Sequence, residues 1–294
     1  MVTVSGGATL LRLDTGAEVR ALVQVGSGVG DRKRCLFLHG NPGSSADWSR
    51  VVPLLAGRFD TAAIDLPGFG QSPRPDSSPG CLSLDRLADH AVGAADALAW
   101  REPFFLVGHS HGGGVAQVAS VRHPERIAGI VLIGTLGAPA QLSYRLLSLP
   151  GASAVVGMAG HLFRRPSLHA VSRAVVHNVM RGIFSPEPVP AERADRELSQ
   201  LAARPEILSS MVDVTRGRPS DQLLRSAAQI RCPTLFLHGE RDALVPARFA
   251  RSIHERIVSS GGRSTFRLVA GAGHMLVEFQ AAEVATHIAS FMDR

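Results

Sequence analysis

Short apolar runs of strand length alternate along this chain with longer segments of helical periodicity. Cys35–Leu38, for example, is wholly apolar, as expected for a strand buried on both faces. This alternation predicts an α/β fold, in which helices flank both faces of a mostly parallel sheet. The predicted strands cover Leu10–Leu13, Ala17–Val25, Cys35–Leu38, Thr61–Ile64, Phe104–Val107, Ile127–Ile133, Thr234–Leu237 and Phe266–Val269. The predicted flanking helices cover Ser45–Leu55, Ser83–Trp100, the segment after Ser110 to about Val121, and Leu276–Phe291.

The alternation is interrupted between about Thr135 and Ile230, where helical patterns occur without a clear strand. A proline-rich stretch, 185–190, forbids helix in the middle of this segment. We interpret residues 136–226 as an all-helical cap over the carboxyl edge of the sheet, where α/β proteins hold ligands. Residues 1–135 and 227–294 then form the core. The helical patterns of the cap cover Leu142–Leu149, Ser167–Met180, Ala191–Leu201 and Glu206–Thr215.

The basic charge of the chain does not indicate a nucleic-acid partner. A formal net charge of +6 would permit one, but Lys33 is the only lysine among 31 basic residues and the arginines are scattered. Aromatic residues make up only 5% of the chain, so the stacking surfaces of single-strand binders are missing. We expect a biased base composition to account for the arginines. With 45% hydrophobic residues, the chain can bury a full core, which excludes intrinsic disorder.

No apolar run approaches the roughly 18 residues that a membrane helix needs, and the amino terminus lacks the charged and apolar regions of a secretion signal. We therefore expect a soluble, cytoplasmic protein without a membrane partner. The three cysteines are widely spaced and suit neither a disulfide framework nor a zinc site. His161, His169 and His177 are spaced by eight residues, about 12 Å along a helix, which is too far to share a metal ion.

The sequence Gly108-His109-Ser110-His111-Gly112 directly follows a predicted strand and directly precedes a predicted helix. This is the G-x-S-x-G pattern in the context that a nucleophilic serine requires. The serine must lie on a sharp strand-to-helix turn, and the residues two before and two after it must be small. We therefore predict that Ser110 is the nucleophile.

A serine hydroxyl needs a base to take its proton and a carboxylate to orient that base. In this kind of fold the chain order is serine, acid, histidine. His274 follows Gly273 in a glycine-containing loop after the last predicted strand, and Asp242 lies after the strand before it. Glu240 competes with Asp242, which we prefer because it lies deeper in the loop. The predicted catalytic residues are therefore Ser110, Asp242 and His274.

Two backbone N–H groups should stabilise the oxyanion of such an enzyme. One belongs to His111, the residue after the nucleophile. The other should come from the loop after the strand Cys35–Leu38. Pro42 has no N–H, so we predict that Asn41 donates.

In this order and spacing, the motifs HGNPGSS, DLPGFGQS, GHSHGG, HGERDALVP and GAGHM resemble those of the α/β-hydrolase superfamily over essentially the whole chain. The resemblance implies an eight-stranded, mostly parallel sheet, a helical cap in the place of residues 136–226, and catalysis without a cofactor or metal. It does not imply a substrate, because this fold supports many reactions.

Several subfamilies fit poorly. Haloalkane dehalogenases and epoxide hydrolases use an aspartate nucleophile where this chain has Ser110, and epoxide hydrolases typically add a pair of cap tyrosines where it has only Tyr144. Hydroxynitrile lyases of this fold use an active-site lysine, but Lys33 precedes the first catalytic strand. Proline iminopeptidases carry HGGPG and a tryptophan beside the serine, both absent here.

The sequence thus predicts a serine hydrolase that cleaves a carboxylic ester, thioester or lactone of a modest-sized, partly apolar small molecule through an acyl-enzyme. Two alternatives stay open. C–C hydrolases of dienols share the triad and cap, although their usual asparagine before the nucleophile is His109 here. Ligand sensors on this fold also keep an intact triad. The pattern leaves the oligomeric state undecided.

Overall fold

The structure is a computed structural model that describes residues 7–24, 32–76, 78, 80–137, 149, 156, 160–216 and 219–294. Within these residues eight strands form one sheet: β1 (Gly7–Arg12), β2 (Glu18–Gln24), β3 (Arg34–Leu38), β4 (Asp60–Ile64), β5 (Phe104–His109), β6 (Ile127–Ile133), β7 (Thr234–Gly239) and β8 (Ser264–Val269). Their order across the sheet is β1-β2-β4-β3-β5-β6-β7-β8. β2 pairs antiparallel with β1 and β4, and the remaining pairs are parallel. The predicted α/β fold with a mostly parallel sheet is therefore confirmed.

The central strands carry almost only apolar side chains because helices cover both of their faces. β7 is buried along its whole length, and β6 is buried except at Ala128. Their parallel register aligns the carboxyl ends of neighbouring strands, with Leu38 opposite Gly108 and Ile133 opposite Leu237. The loops after β3, β5, β7 and β8 therefore open at the same edge of the sheet.

The flanking helices are α1 (Val52–Leu55), α2 (Leu84–Ala97), α3 (His111–Arg122), α8 (Ala247–Ser259), α9 (Leu276–Phe279) and α10 (Ala281–Met292). α2 and α3 pack against each other, and α1 contacts α10. Between α3 and α8, the chain also forms α4 (His169–Phe184), α5 (Ala191–Ala203), α6 (Glu206–Asp213) and α7 (Pro219–Ser226).

Two predicted helices are interrupted. The helix predicted over Ser45–Leu55 is a short 3₁₀ turn, Ser45–Trp48, followed by α1. The break precedes Pro53, which lacks an N–H and therefore fits only the first turn of a helix. The helix predicted over Leu276–Phe291 is divided at Gln280, which caps both α9 and α10.

The segment between β6 and β7 is helical wherever it is regular. α4, α5 and α6 correspond to three of the four predicted helices there, and the chain between α4 and α5 is non-helical at its prolines, as predicted. The pattern at Leu142–Leu149 lies almost wholly outside the described residues, and α7 was not predicted. The division into core and cap stays a prediction.

Among the described residues, no helix combines the length and the apolar character needed to cross a membrane. The cysteines Cys35, Cys81 and Cys232 are all free thiols.

Candidate active site

Ser110 is the single residue between the end of β5 and the beginning of α3. Its backbone has φ 52° and ψ −114°, in the left-handed half of conformational space that side chains other than glycine seldom enter. The surrounding sheet and helix hold this unfavourable conformation in place. The side chain is 6% exposed, so the turn presents a nearly buried hydroxyl.

The two glycines that flank Ser110 are required by close backbone contacts. A Cβ on Gly108 would lie 2.2 Å from the carbonyl oxygen of Gly112, and a Cβ on Gly112 would lie 2.3 Å from that of Leu38. Any side chain at either position would push the strand away from the helix. The small residues predicted from the motif are therefore a steric necessity of this turn.

Asp242 and His274 are brought together from the loops after β7 and β8. The imidazole Nδ1 of His274 lies 2.8 Å from Oδ2 of Asp242, and Oδ1 of Asp242 accepts from the Val245 N–H at 2.7 Å. Burial by itself would raise the pKa of Asp242, but the facing imidazoles of His274 and His238 hold it well below its usual range. A permanently ionised carboxylate thus faces Nδ1, which leaves the other ring nitrogen, Nε2, to act as a base.

Glu240, the competing acid, points elsewhere. It is exposed, and its carboxylate accepts from the Gly271 N–H at 2.9 Å. Asp242, and not Glu240, therefore lies within hydrogen-bonding distance of His274, the predicted base.

Two further histidines, His109 and His238, lie next to this pair. The sequence motifs assigned no role to either of them. His109 donates from Nε2 to the backbone oxygen of His274 at 3.0 Å, and the two ring centroids are 4.8 Å apart. His238 donates from Nε2 to the Val245 oxygen at 2.6 Å and lies 3.3 Å from Asp242 Oδ2. Their positions at the ends of β5 and β7 were visible in the sequence, but the partner of His109 lies on a distant loop and that of His238 depends on the path of the loop after β7.

One predicted oxyanion donor follows Ser110 in the chain, and the other lies in a loop that approaches Ser110. His111 begins α3, and Asn41 lies in the loop after β3, which approaches Ser110 so closely that a Cβ on Gly40 would lie 3.1 Å from the serine Cβ. Within the described part of the chain, neither backbone N–H donates to a loop or cap carbonyl. The Asn41 side chain is held by a hydrogen bond to the Met211 oxygen at 3.1 Å.

The site contains buried imidazoles that resist protonation. Burial lowers the pKa of His109 to about 3 and that of His111 to about 3. Neither ring nitrogen of His111 has a hydrogen-bond partner among the described residues. Both imidazoles are therefore neutral at physiological pH, so neither of them adds a positive charge to the site.

These two histidines make folding sensitive to acid. Below about pH 6.5 the unfolded chain takes up protons on both imidazoles, whereas the folded chain does so only near pH 3, so stability falls as the pH decreases. Each histidine should remove about 2 kcal/mol of unfolding free energy between pH 8 and pH 5. We expect His111→Gln to recover about 2 kcal/mol of that loss in urea unfolding, because glutamine does not titrate.

Exposed His177 provides the control, since water reaches its imidazole in the folded state as well. His177→Gln should leave the wild-type difference between pH 8 and pH 5 unchanged. An equal loss of stability in wild type and His111→Gln would show that His111 takes no part in the acid sensitivity.

Ser110 and His274 open into one cavity of about 390 Å³. Asn41 and His109 also line it, together with a charged group formed by Asp47, Arg193 and Glu197. The rest of the wall is mainly apolar and comes largely from α4, α5 and α6: Val175, Val176, Val179, Met180, Ile183, Phe184, Leu201, Leu208 and Met211. The helices between β6 and β7 therefore cover the predicted site.

No group of three or more histidine, cysteine, aspartate or glutamate side chains arranged to hold a metal ion occurs among the described residues. His169 and His177, two of the three evenly spaced histidines, lie exposed on α4.

Comparison with known proteins agrees with this architecture. The sequence model of the alpha/beta hydrolase fold matches residues 35–281. The chain is 31% identical over 266 residues to 2-hydroxymuconate semialdehyde hydrolase of Pseudomonas sp. (strain CF600), covering 87% of this chain and 86% of that protein.

Two solved structures resemble the fold over 98% of both chains. They are a meta-cleavage product hydrolase from Pseudomonas fluorescens IP01, with TM-score 0.74 and 22% identity, and a thermophilic esterase from Thermogutta terrifontis, with TM-score 0.71 and 23% identity. At this level of identity the likeness concerns the fold alone. Together with the match over residues 35–281, the fold and its strand-to-helix serine turn establish that this chain belongs to the α/β-hydrolase family.

Proposed function

We propose that this protein is a serine hydrolase that cleaves a carboxylic ester, thioester or lactone of a modest-sized, partly apolar acyl compound. The observation that carries the proposal is the cavity that Ser110 and His274 both line, since the rest of its wall is mostly apolar. Pockets that bind small molecules combine apolar walls with a few convergent polar groups in this way.

In the proposed reaction, Ser110 Oγ attacks the carbonyl carbon while His274 takes the hydroxyl proton on Nε2. Asp242, 2.8 Å from Nδ1, stabilises the imidazolium that forms. Collapse of the tetrahedral intermediate breaks the bond to the leaving group, and His274 returns its proton to that group. Water, activated by the same imidazole, then attacks the acyl-enzyme and releases the acid.

The negative oxygen of each intermediate would be stabilised by the backbone N–H groups of Asn41 and His111. The approach of the loop after β3 to Ser110 supports this assignment, because Asn41 directly follows Gly40, where an added Cβ would lie 3.1 Å from the serine Cβ. Such preorganised donors contribute about 3 kcal/mol each to acyl-transfer reactions.

We assign the choice of acyl chain to the apolar wall from α4, α5 and α6. Val176 on α4 is 6% exposed and lines the cavity, whereas Val171 on the same helix is 61% exposed. Each buried methylene contributes about 0.8 kcal/mol, so kcat/KM should rise about fourfold per methylene until the cavity is full.

The test is a series of p-nitrophenyl esters of increasing acyl length, assayed with wild type and Val176→Phe. We expect the wild-type optimum to move to shorter chains in Val176→Phe, because the larger ring fills part of the cavity. Val171→Phe adds the same ring outside the cavity and should leave the optimum unchanged. Thermal melting of both variants verifies folding.

An absence of turnover on esters, thioesters and lactones alike would remove the proposed function, and would favour the alternative of a ligand sensor if those compounds still bound. An optimum that did not move in folded Val176→Phe would show that other loops select the acyl chain.

A second candidate, hydrolysis of a C–C bond in a dienol, is supported by the 31% identity to 2-hydroxymuconate semialdehyde hydrolase. Its substrate would carry an aldehyde and a carboxylate on a hydroxylated diene, as the name of that relative indicates. Turnover of such a compound at a rate above that of neutral esters would favour this candidate. The charged side chains of the cavity wall, Asp47, Arg193 and Glu197, bear on the choice between an ester and a dienol substrate.

A further inference from the structure

Among the described residues that line the cavity, Arg193 on α5 is the one arginine, and acids surround it. Its Nη1 lies 2.6 Å from Asp47 Oδ1, and its Nε lies 3.0 Å from Glu197 Oε1. A third carboxylate, that of Glu278, lies 3.9 Å away and pairs at 3.1 Å with Arg50. Asp47 belongs to the turn after β3, so these ion pairs join α5 to the sheet.

The guanidinium is buried as well as paired. The side chains of Arg193, Asp47 and Glu197 are 6%, 4% and 11% exposed. Phe184 lies against the guanidinium, with its ring centroid 5.9 Å away. In such a setting an ion pair is weakly screened by water, so Asp47 and Glu197 compensate the positive charge at short range.

Asp47 alone suffices for this compensation. Burial by itself would raise the pKa of Asp47, but Arg193 holds it below its usual range. Burial raises the pKa of Glu197, so Glu197 contributes a second negative charge or, when protonated, none. In either state, Arg193 offers an entering anion no uncompensated positive charge.

We infer that Asp47 and Glu197 neutralise Arg193 and thereby restrict this site to acyl compounds that carry no carboxylate. A carboxylate brought to this wall would lose its hydration and meet the two acids as well as the arginine. The inference rests on the proposed function, whose substrate class it narrows to neutral acyl compounds. It also weighs against the dienoate candidate, whose substrate is an anion.

The experiment measures binding instead of turnover. In the Ser110→Ala background, calorimetry compares methyl heptanoate with the monomethyl ester of heptanedioic acid, which differs by one terminal carboxylate. We expect the neutral ester to bind at least tenfold more tightly. The double variant Asp47→Asn/Glu197→Gln, which leaves Arg193 without either acid, should then raise the affinity for the charged ester at least tenfold, with less than a twofold change for the neutral one.

Glu192→Gln is the matched control, because it removes an acid from the exposed face of α5 and should change neither affinity. Asp47→Asn alone carries the test if the double variant does not fold. Equal or tighter binding of the charged ester in the Ser110→Ala protein would overturn the inference. So would a preference for the neutral ester that the double variant leaves unchanged, since the apolar wall alone would then explain it.

Because binding is measured without Ser110, the result is distinguishable from a failure of the proposed hydrolysis. A protein that binds the neutral ester selectively but never cleaves it would contradict only the proposed function.

Discussion

Ser110→Ala should lower kcat by about 10⁶-fold, because removal of the nucleophile leaves only the rate enhancement due to positioning and the oxyanion donors. Ser110 should also be the single residue labelled by an organophosphonate ester, since only a serine activated by a base reacts rapidly with it. Mass spectrometry of the labelled protein identifies the site, and hydrolysis of a p-nitrophenyl ester measures the loss of rate.

Ser120→Ala provides the matched control. Ser120 is also buried and lies on α3, but its hydroxyl donates to the Gln117 oxygen at 2.8 Å and it does not line the cavity. The control variant should keep both labelling and activity. Labelling of another residue, or undiminished hydrolysis by folded Ser110→Ala, would remove Ser110 from the mechanism.

Asp242→Asn should lower kcat by about 10⁴-fold, with the substrate affinity little changed. An amide at this position would present a donor or a neutral acceptor to His274 Nδ1, 2.8 Å away, and would favour the wrong imidazole tautomer. The loss should therefore fall on kcat, and steady-state kinetics of the ester substrate separates it from an effect on KM.

Glu240→Gln is the matched control, two residues away in the same loop. Its side chain accepts from the Gly271 N–H and does not contact His274, and glutamine can still accept that bond. We expect less than a fivefold change in kcat. If Glu240→Gln were the damaging substitution and Asp242→Asn the mild one, Glu240 would be the acid that supports the base.

The strand-to-helix turn at Ser110 was predictable because its requirements are local. Gly108 is needed because a Cβ there would clash with Gly112 of the same turn, whereas the clash at Gly112 is with Leu38 of β3 and depends on the tertiary structure. The chain order of Ser110, Asp242 and His274 was predictable on the same basis, since each residue follows a recognisable strand. The interrupted helices were predicted wrongly, although the break at Pro53 had a visible cause.

The sequence provided a weaker basis for choosing between Asp242 and Glu240 as the acid that orients His274. Depth in the loop favoured Asp242, but only the fold of two loops far apart in sequence shows that Asp242 faces His274 while Glu240 turns to Gly271. His109 and His238 illustrate the same limit. Each lies at a strand end that the sequence indicates, but His109 bonds the distant His274 oxygen and His238 bonds Val245 of its own loop, so the folded path of the loops sets each partner.

The sequence by itself determined the fold class, the nucleophile turn and the order of the predicted catalytic residues, because strand periodicity and turn sterics act over a few neighbouring residues. The tertiary structure decided what surrounds them. Arg193 and Glu197 are one helical turn apart and could be paired from sequence, but Asp47 reaches them only because the turn after β3 packs beneath α5. The net charge of the cavity wall depends on residues that are distant in sequence, so only the tertiary structure determines it.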